Sequence, residues 1–177
     1  MRTLLTIGLL SLLSACGGAR VVGSDNFIKH PIHRIAVSPS GGDVADAIVQ
    51  RLREKEGGKL EVMGTKATAE MLQRTKVMSI KATTPESLAI LKREGIDAWL
   101  RMESAAHPSS DTPQNVNVRM TSTHDPLQYI DFLWHNGWGG MRGSLADATM
   151  RRGRDDALDA VTDEIVARLA QAITVEP

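Results

Sequence analysis

The sequence predicts a single-domain, layered α/β sandwich with a mixed sheet, in the order β-α-β-α-α-β followed by a β-hairpin and a C-terminal helix. Three features carry that expectation. A half-buried strand pattern at residues 33 to 38 runs at once into a helical pattern, which is how a layered α/β domain opens. The strand-helix alternation then repeats through residue 103. After it the hydrophobic period falls to two residues, until a single helical stripe closes the chain.

In His33-Arg34-Ile35-Ala36-Val37-Ser38, Ile35 and Val37 alternate with small or polar residues, as in a strand with one buried face. Pro39-Ser40-Gly41-Gly42 breaks it. Asp43 is the expected N-cap of a helix whose Val44, Ile48 and Leu52 share one face, and Gly57-Gly58 stops it. Leu60-Glu61-Val62-Met63 reads as a short strand. Thr65 or Thr68 is the expected cap of a helix holding Ala69, Met71 and Leu72, with a less ordered patch to Thr83. Thr84-Pro85-Glu86-Ser87 is a strong helix start, because proline at the first helical position forgoes no hydrogen bond. Leu88 and Leu91 carry that helix to Gly95, a good C′ residue. Strand character resumes from Ile96 to Glu103, and parallel pairing is the economical way to join these strands.

In the second half, Val116, Val118 and Met120 alternate with Asn117, Arg119 and Thr121, which marks a strand with one wet face. His124-Asp125-Pro126 interrupts, and residues 127 to 138 form the return strand of an antiparallel hairpin, with Tyr129, Asp131, Leu133 and His135 alternating. Residues 155 to 173 are the clearest helix. Leu158, Val161, Ile165, Leu169 and Ile173 form its stripe, and Asp155, Asp156, Asp159 and Asp163 lie outside it towards the positive end of the helix dipole. This helix is expected to pack on the sheet.

Ahead of the domain, residues 1 to 15 read as a lipoprotein export signal: a basic Arg2, an apolar run from Leu4 to Leu13, then Ser14-Ala15 before Cys16, the only cysteine. The apolar run is about half of the roughly 20 residues a spanning helix needs. Cleavage between Ala15 and Cys16 with acylation of Cys16 explains why a lone cysteine sits there, and several acyl chains hold a protein to a bilayer stably. Ordinary signal-peptide cleavage is the rival, leaving a soluble periplasmic protein with a free thiol. Gly17 follows the cysteine where aspartate is absent, which points to the outer membrane with the domain facing the periplasm. Residues 16 to 32 are the expected lipidated tether, and 33 to 177 the domain.

Lys plus Arg and Asp plus Glu both number 21, so no net field recruits nucleic acid. Cys16 has no partner for a disulfide within the chain, and only 3% of residues are aromatic. Stability must come from aliphatic packing.

The chemical motifs are sparse. Ser38-Pro39-Ser40-Gly41-Gly42-Asp43 lies between a strand and a helix, but it lacks phosphate-loop spacing and carries an acid that repels phosphate, so a turn is expected. His30-Pro31-Ile32-His33 offers two imidazoles with no further ligand at metal spacing. No GxSxG frame surrounds Ser122 or Ser144, and His124-Asp125 belongs to a turn. Residues 134 to 143 are the most unusual segment, with two of the three tryptophans and four glycines. They read either as a turn whose indoles complete the core, or as a contact loop binding a partner through Trp134, Trp138 and Arg142.

The strand Arg34-Ile35-Ala36-Val37-Ser38-Pro39 with its immediate helix, then Leu60-Glu61-Val62-Met63, then Gly95-Ile96-Asp97-Ala98-Trp99-Leu100 before a hairpin, resembles the periplasmic α/β domain of CsgG-like, TolB amino-terminal-like and LpoB-like envelope lipoproteins. In that group a "lysine or arginine, isoleucine, alanine, valine" strand opens the domain, and a "glycine, alanine or valine, aspartate" step precedes the third strand. Gly95-Ile96-Asp97 fits that step except at its centre. The resemblance implies a scaffold or interaction module, with no catalytic residues, metal ligands or cofactor to carry over. It spans residues 33 to 173 as a pattern of elements. No pair of roughly ten-residue lipid-facing strands is left over for a membrane pore.

The functional expectation is a non-enzymatic envelope lipoprotein whose domain binds or scaffolds another envelope protein. One alternative is a periplasmic hydrolase or carbohydrate-active enzyme near His135 and Trp138, with His135 and Asp131 as acid/base groups on one side of a strand. Another is an oligomeric secretion or assembly factor joined through edge strands.

Overall fold

The computed structural model describes residues 28, 30–106, 111–136 and 152–173. Five strands form one sheet in the order β2-β1-β3-β4-β5: β1 (Arg34–Val37), β2 (Glu61–Met63), β3 (Ala98–Ala106), β4 (Pro113–Ser122) and β5 (Tyr129–His135). β1 pairs in parallel with β2 and with β3, whereas β3 with β4 and β4 with β5 are antiparallel. The helices are α1 (Gly42–Glu56), α2 (Thr65–Thr75), α3 (Pro85–Arg93) and α4 (Arg154–Ala172). The layered α/β architecture with a mixed sheet is as the sequence predicts.

Two apolar clusters separate the layers. On one face, Val37, Leu100, Met102, Val116, Val118, Met120, Phe132 and Trp134 meet α1 and α4, whose Ile48, Leu52, Val161, Ile165 and Leu169 are buried. On the other face, Ala36 and Trp99 meet Met71, Leu72, Leu88 and Leu91 of α2 and α3. The second layer therefore stands over β1 and the start of β3, and the strands beyond receive no helix from it.

The turn before α1 differs from expectation. Pro39–Gly41 form a 3-10 turn whose cap is Ser38, with Ser38 Oγ accepting from the Ser40 amide at 3.3 Å. The Ser40 hydroxyl donates to the Met102 carbonyl at 2.9 Å, fixing the turn to β3. The N-cap of α1 is Gly41 rather than Asp43, because the 3-10 turn occupies the place of the cap. Asp43 lies in the first turn and reaches Arg154 at 3.4 Å. Gly41 sits where a Cβ would come within 2.8 Å of Ala45 Cβ and 3.0 Å of Met102 Cβ, so glycine is what lets α1 approach β3.

Neither threonine caps α2. Its N-cap is Gly64, and Thr65 is the first helical residue, donating from its hydroxyl to Asp46 Oδ1 at 2.6 Å. Thr68 Oγ1 donates to the Met63 carbonyl at 3.3 Å. Within the patch expected to lack order, Ser79–Lys81 form a 3-10 turn, and Val77 and Ala82 are buried. α3 begins as expected, with Thr84 Oγ1 accepting from the Ser87 amide.

Asp97 closes the Gly-Ile-Asp step. Gly95, at φ +77°, donates to the Lys92 carbonyl, and Ile96 donates to that of Leu91, a Schellman termination that only a residue tolerant of positive φ completes without strain. The chain turns here, and Asp97 Oδ2 accepts from the amides of His33 and Arg34 at 2.9 Å each. That is why β3 starts at Ala98 rather than Ile96. Upstream, Ile28 and Ile32 are buried in the larger cluster. The core thus reaches into the stretch expected as a tether, because two apolar side chains without a period leave no strand or helix pattern to read.

Candidate functional site

The bare part of the sheet is the most distinctive surface of the described domain. Strand register arranges its side chains in rows across β3, β4 and β5. Arg101, Arg119 and Asp131 form one row; Glu103, Asn117 and Leu133 form the next; Ala105, Asn115 and His135 form the last. Alternation places all of them on the face opposite Met102, Val118 and Phe132, and it is this face that α2 and α3 leave uncovered beyond Trp99.

The rows are held in place by their own contacts. Arg119 lies over the Tyr129 ring, its guanidinium carbon 4.0 Å from the centroid, and its Nη1 is 3.7 Å from Asp131 Oδ2. Arg101 pairs with Glu103 along the strand. His135 Nδ1 and Asn115 Oδ1 are 2.6 Å apart. Among these groups Leu133 stands out as apolar and 41% exposed. The surface is charge-balanced and ordered, with an exposed leucine on its outer strand, which is not the one-signed lining of a steered ionic cleft. At its border, the Ser79–Lys81 turn is tied to the end of β1 by Ser38 Oγ and Ser79 Oγ at 3.1 Å, and it carries exposed Met78 and Ile80.

The residues singled out from sequence fall in different places. Trp134 is fully buried on the opposite face, and its Nε1 donates to Glu164 Oε2 of α4 at 2.8 Å. It therefore has no surface to offer a partner, and its role in the fold is to fasten α4 to β5. The alternation of Tyr129, Asp131, Leu133 and His135 already implies this, since Trp134 must face the other way. Ala15, Cys16, Trp138 and Arg142 lie outside the described residues.

Asp131 and His135 do share a face, but four positions of extended strand separate their Cα atoms by about 13 Å. Asp131 turns to Arg119 and His135 to Asn115, so the structure does not bring the pair together over one reacting atom. Ser122 accepts from the His124 and Asp125 amides, holding the turn expected there. His30 and His124 lie with ring centroids 5.2 Å apart, and among the described residues no three His, Cys, Asp or Glu side chains gather as a metal site. Arg101, Glu103, Asn115 and Asn117 are not singled out by any motif. Alternation marks a wet face in β4, whereas its width depends on where α2 and α3 stop.

Among the described residues no helix is long and apolar enough to cross a membrane. No protein-family model matches this chain, and no curated protein matches it. Among solved structures it is similar to the crystal structure of lipoprotein GNA1162 from Neisseria meningitidis, at 16% sequence identity and a TM-score of 0.41, over 80% of this chain and 99% of that one.

Proposed function

We propose that this chain is a lipoprotein of the bacterial envelope, anchored through Cys16 at the outer membrane and facing the periplasm. Its α/β domain works by binding another envelope protein, without catalysis, cofactor or nucleic acid. The observation that carries the binding role is the bare face of β3, β4 and β5, where ordered polar rows run out to exposed Leu133 on the outer strand. Its neutral balance favours a partner recognised by shape and hydrogen bonding over one drawn in by charge. The export-signal pattern that ends at Cys16 supports the location.

A photo-crosslinking amino acid at Asn117, in the middle of that face, tests the reading in intact cells. Gln50, exposed on α1, serves as the control position. A discrete heavier adduct at Asn117 and none at Gln50 is expected. Equal adducts at both positions, or none at Asn117, would count against this face as the binding surface.

A further inference from the structure

The even balance of acids and bases hides a separation along the strands. β1, β2 and β3 begin at one end of the sheet, where β4 runs out and β5 begins. All four helices finish at that end. The Glu61 amide donates to the His33 carbonyl, which brings the chain leaving α1 to the start of β1. Arg74, in the last turn of α2, pairs with Glu94 at 2.6 Å, and Arg34 Nη1 donates to the Glu94 carbonyl at 3.2 Å, so α2 and α3 finish beside β1 as well. Ile173, after α4, is buried with Ile28 and Ile32.

Helices that all point the same way sort the charges. Asp43, Glu86, Asp155 and Asp156 stand in first turns, at the far end. At the near end Lys55, Lys59, Lys76, Lys92 and Arg93 are exposed, and no ion pair holds any of them among the described residues. The acids of this end are engaged. Glu61 pairs with Arg34 at 2.9 Å, Glu94 with Arg74, Asp97 accepts from two backbone amides and Asp125 from the Leu127 amide at 3.0 Å, which leaves half-buried Glu56. Helix dipoles account for cations in last turns. They do not account for Lys59, beyond α1, or for Leu127, which is 73% exposed in the turn between β4 and β5 and so lies at this same end.

The chain also enters the domain here, since buried Ile28 and Ile32 lead directly into β1. Twelve positions separate Cys16 from Ile28, a reach of at most about 40 Å. An acylated Cys16 therefore keeps this end at high local concentration beside the bilayer, where contacts that are weak on their own suffice.

We infer that the tethered end of the domain rests on the bilayer surface, with Lys55, Lys59, Lys76, Lys92 and Arg93 against anionic phospholipid headgroups and Leu127 directed into the interface. The inference rests on the Cys16 anchor. In this orientation the strands stand along the bilayer normal and the acidic helix starts point away from the like-charged surface. The bare face of β3, β4 and β5 then stays open sideways to a partner.

Quenching by a spin-labelled lipid, read from a fluorophore at either end of the acylated protein reconstituted in vesicles, tests the orientation. Acylation blocks the Cys16 thiol, so Leu127→Cys and Glu86→Cys each offer one thiol for labelling. In vesicles containing phosphatidylglycerol the Leu127→Cys label is expected to be quenched several-fold more than the Glu86→Cys label. The difference should fade in pure phosphatidylcholine. It should fade also when salt is raised from about 0.1 M to about 1 M, which shortens the screening length from about 10 Å to about 3 Å. Lys92→Gln combined with Arg93→Gln should weaken the contact about thirtyfold for the two charges removed, and the lipid and salt comparisons, made on the unneutralised protein, do not depend on how that variant folds. Equal quenching at the two positions, or a difference indifferent to phosphatidylglycerol or to salt, overturns the inference and leaves the anchor standing. A chain whose intact mass lacks acyl groups overturns the anchor, and the inference with it.

Discussion

Removing the Asp97 carboxylate is the sharpest test of how the fold is held at the base of the sheet. Oδ2 accepts from two consecutive amides at 2.9 Å, and Oδ1 lies 3.4 Å from His124 Nε2. Hydrogen bonds to a charged acceptor contribute about 1.5 to 3 kcal/mol each. The His33 amide is at the exposed side and recovers water when the acceptor goes, whereas that of Arg34 is part-buried, so the two losses are unequal. Together they put Asp97→Ala at about 2 to 3 kcal/mol. Asp97→Asn keeps a neutral acceptor and costs about 1 kcal/mol. In a domain of this size each kcal/mol moves Tm by about 3 °C, giving a fall of about 6 to 9 °C for alanine and about 3 °C for asparagine. Thermal unfolding followed by circular dichroism measures both, and hydrogen exchange at His33 and Arg34 localises the effect. An alanine variant within 1 °C of the parent, or exchange at those amides left unchanged, would refute the reasoning.

Four further substitutions probe close approach, backbone conformation and the buried indoles. Gly41→Ala drives a Cβ into Ala45 and Met102 at 2.8 and 3.0 Å; it should cost about 1 to 3 kcal/mol by overpacking, seen as a lower urea midpoint. Gly95→Ala, at φ +77°, should cost about 1 kcal/mol from the left-handed backbone, measured in the same titration. Trp134→Phe breaks the bond to Glu164, whereas Trp99→Phe removes an Nε1 that has no hydrogen-bond partner. The Trp134 change should therefore be the more damaging by about 1 kcal/mol or more, and equal denaturation curves for the two variants would contradict that assignment.

What the sequence made legible was local. Thr84-Pro85 and Gly95 specify both ends of α3 through their own backbone chemistry, and the apolar periods of β1, β4 and α4 specify which sides are buried. Gly95-Ile96-Asp97 could be recognised as a step between helix and strand, but the bond from Asp97 back to the start of β1 spans more than sixty positions and no periodicity reports it. Asp43, Thr65 and Thr68 are good capping types that tertiary contacts put to other uses. Two of the three bond or pair with other helices, and a 3-10 turn or glycine takes the cap itself. The bare face was the least legible feature. Arg119, Asn117 and Leu133 are ordinary residues of a half-wet strand, and only the placement of α2 and α3 over β1 turns them into one continuous surface.

The central claim is an envelope lipoprotein anchored at Cys16, and the intact mass of the membrane-extracted protein tests it most directly, with a Cys16→Ser variant fractionated in parallel. The account predicts a chain beginning at Cys16 and carrying acyl chains, with the modification and the membrane association both lost in the variant. An unmodified chain still beginning at Met1, recovered from the soluble cytoplasmic fraction, would contradict it.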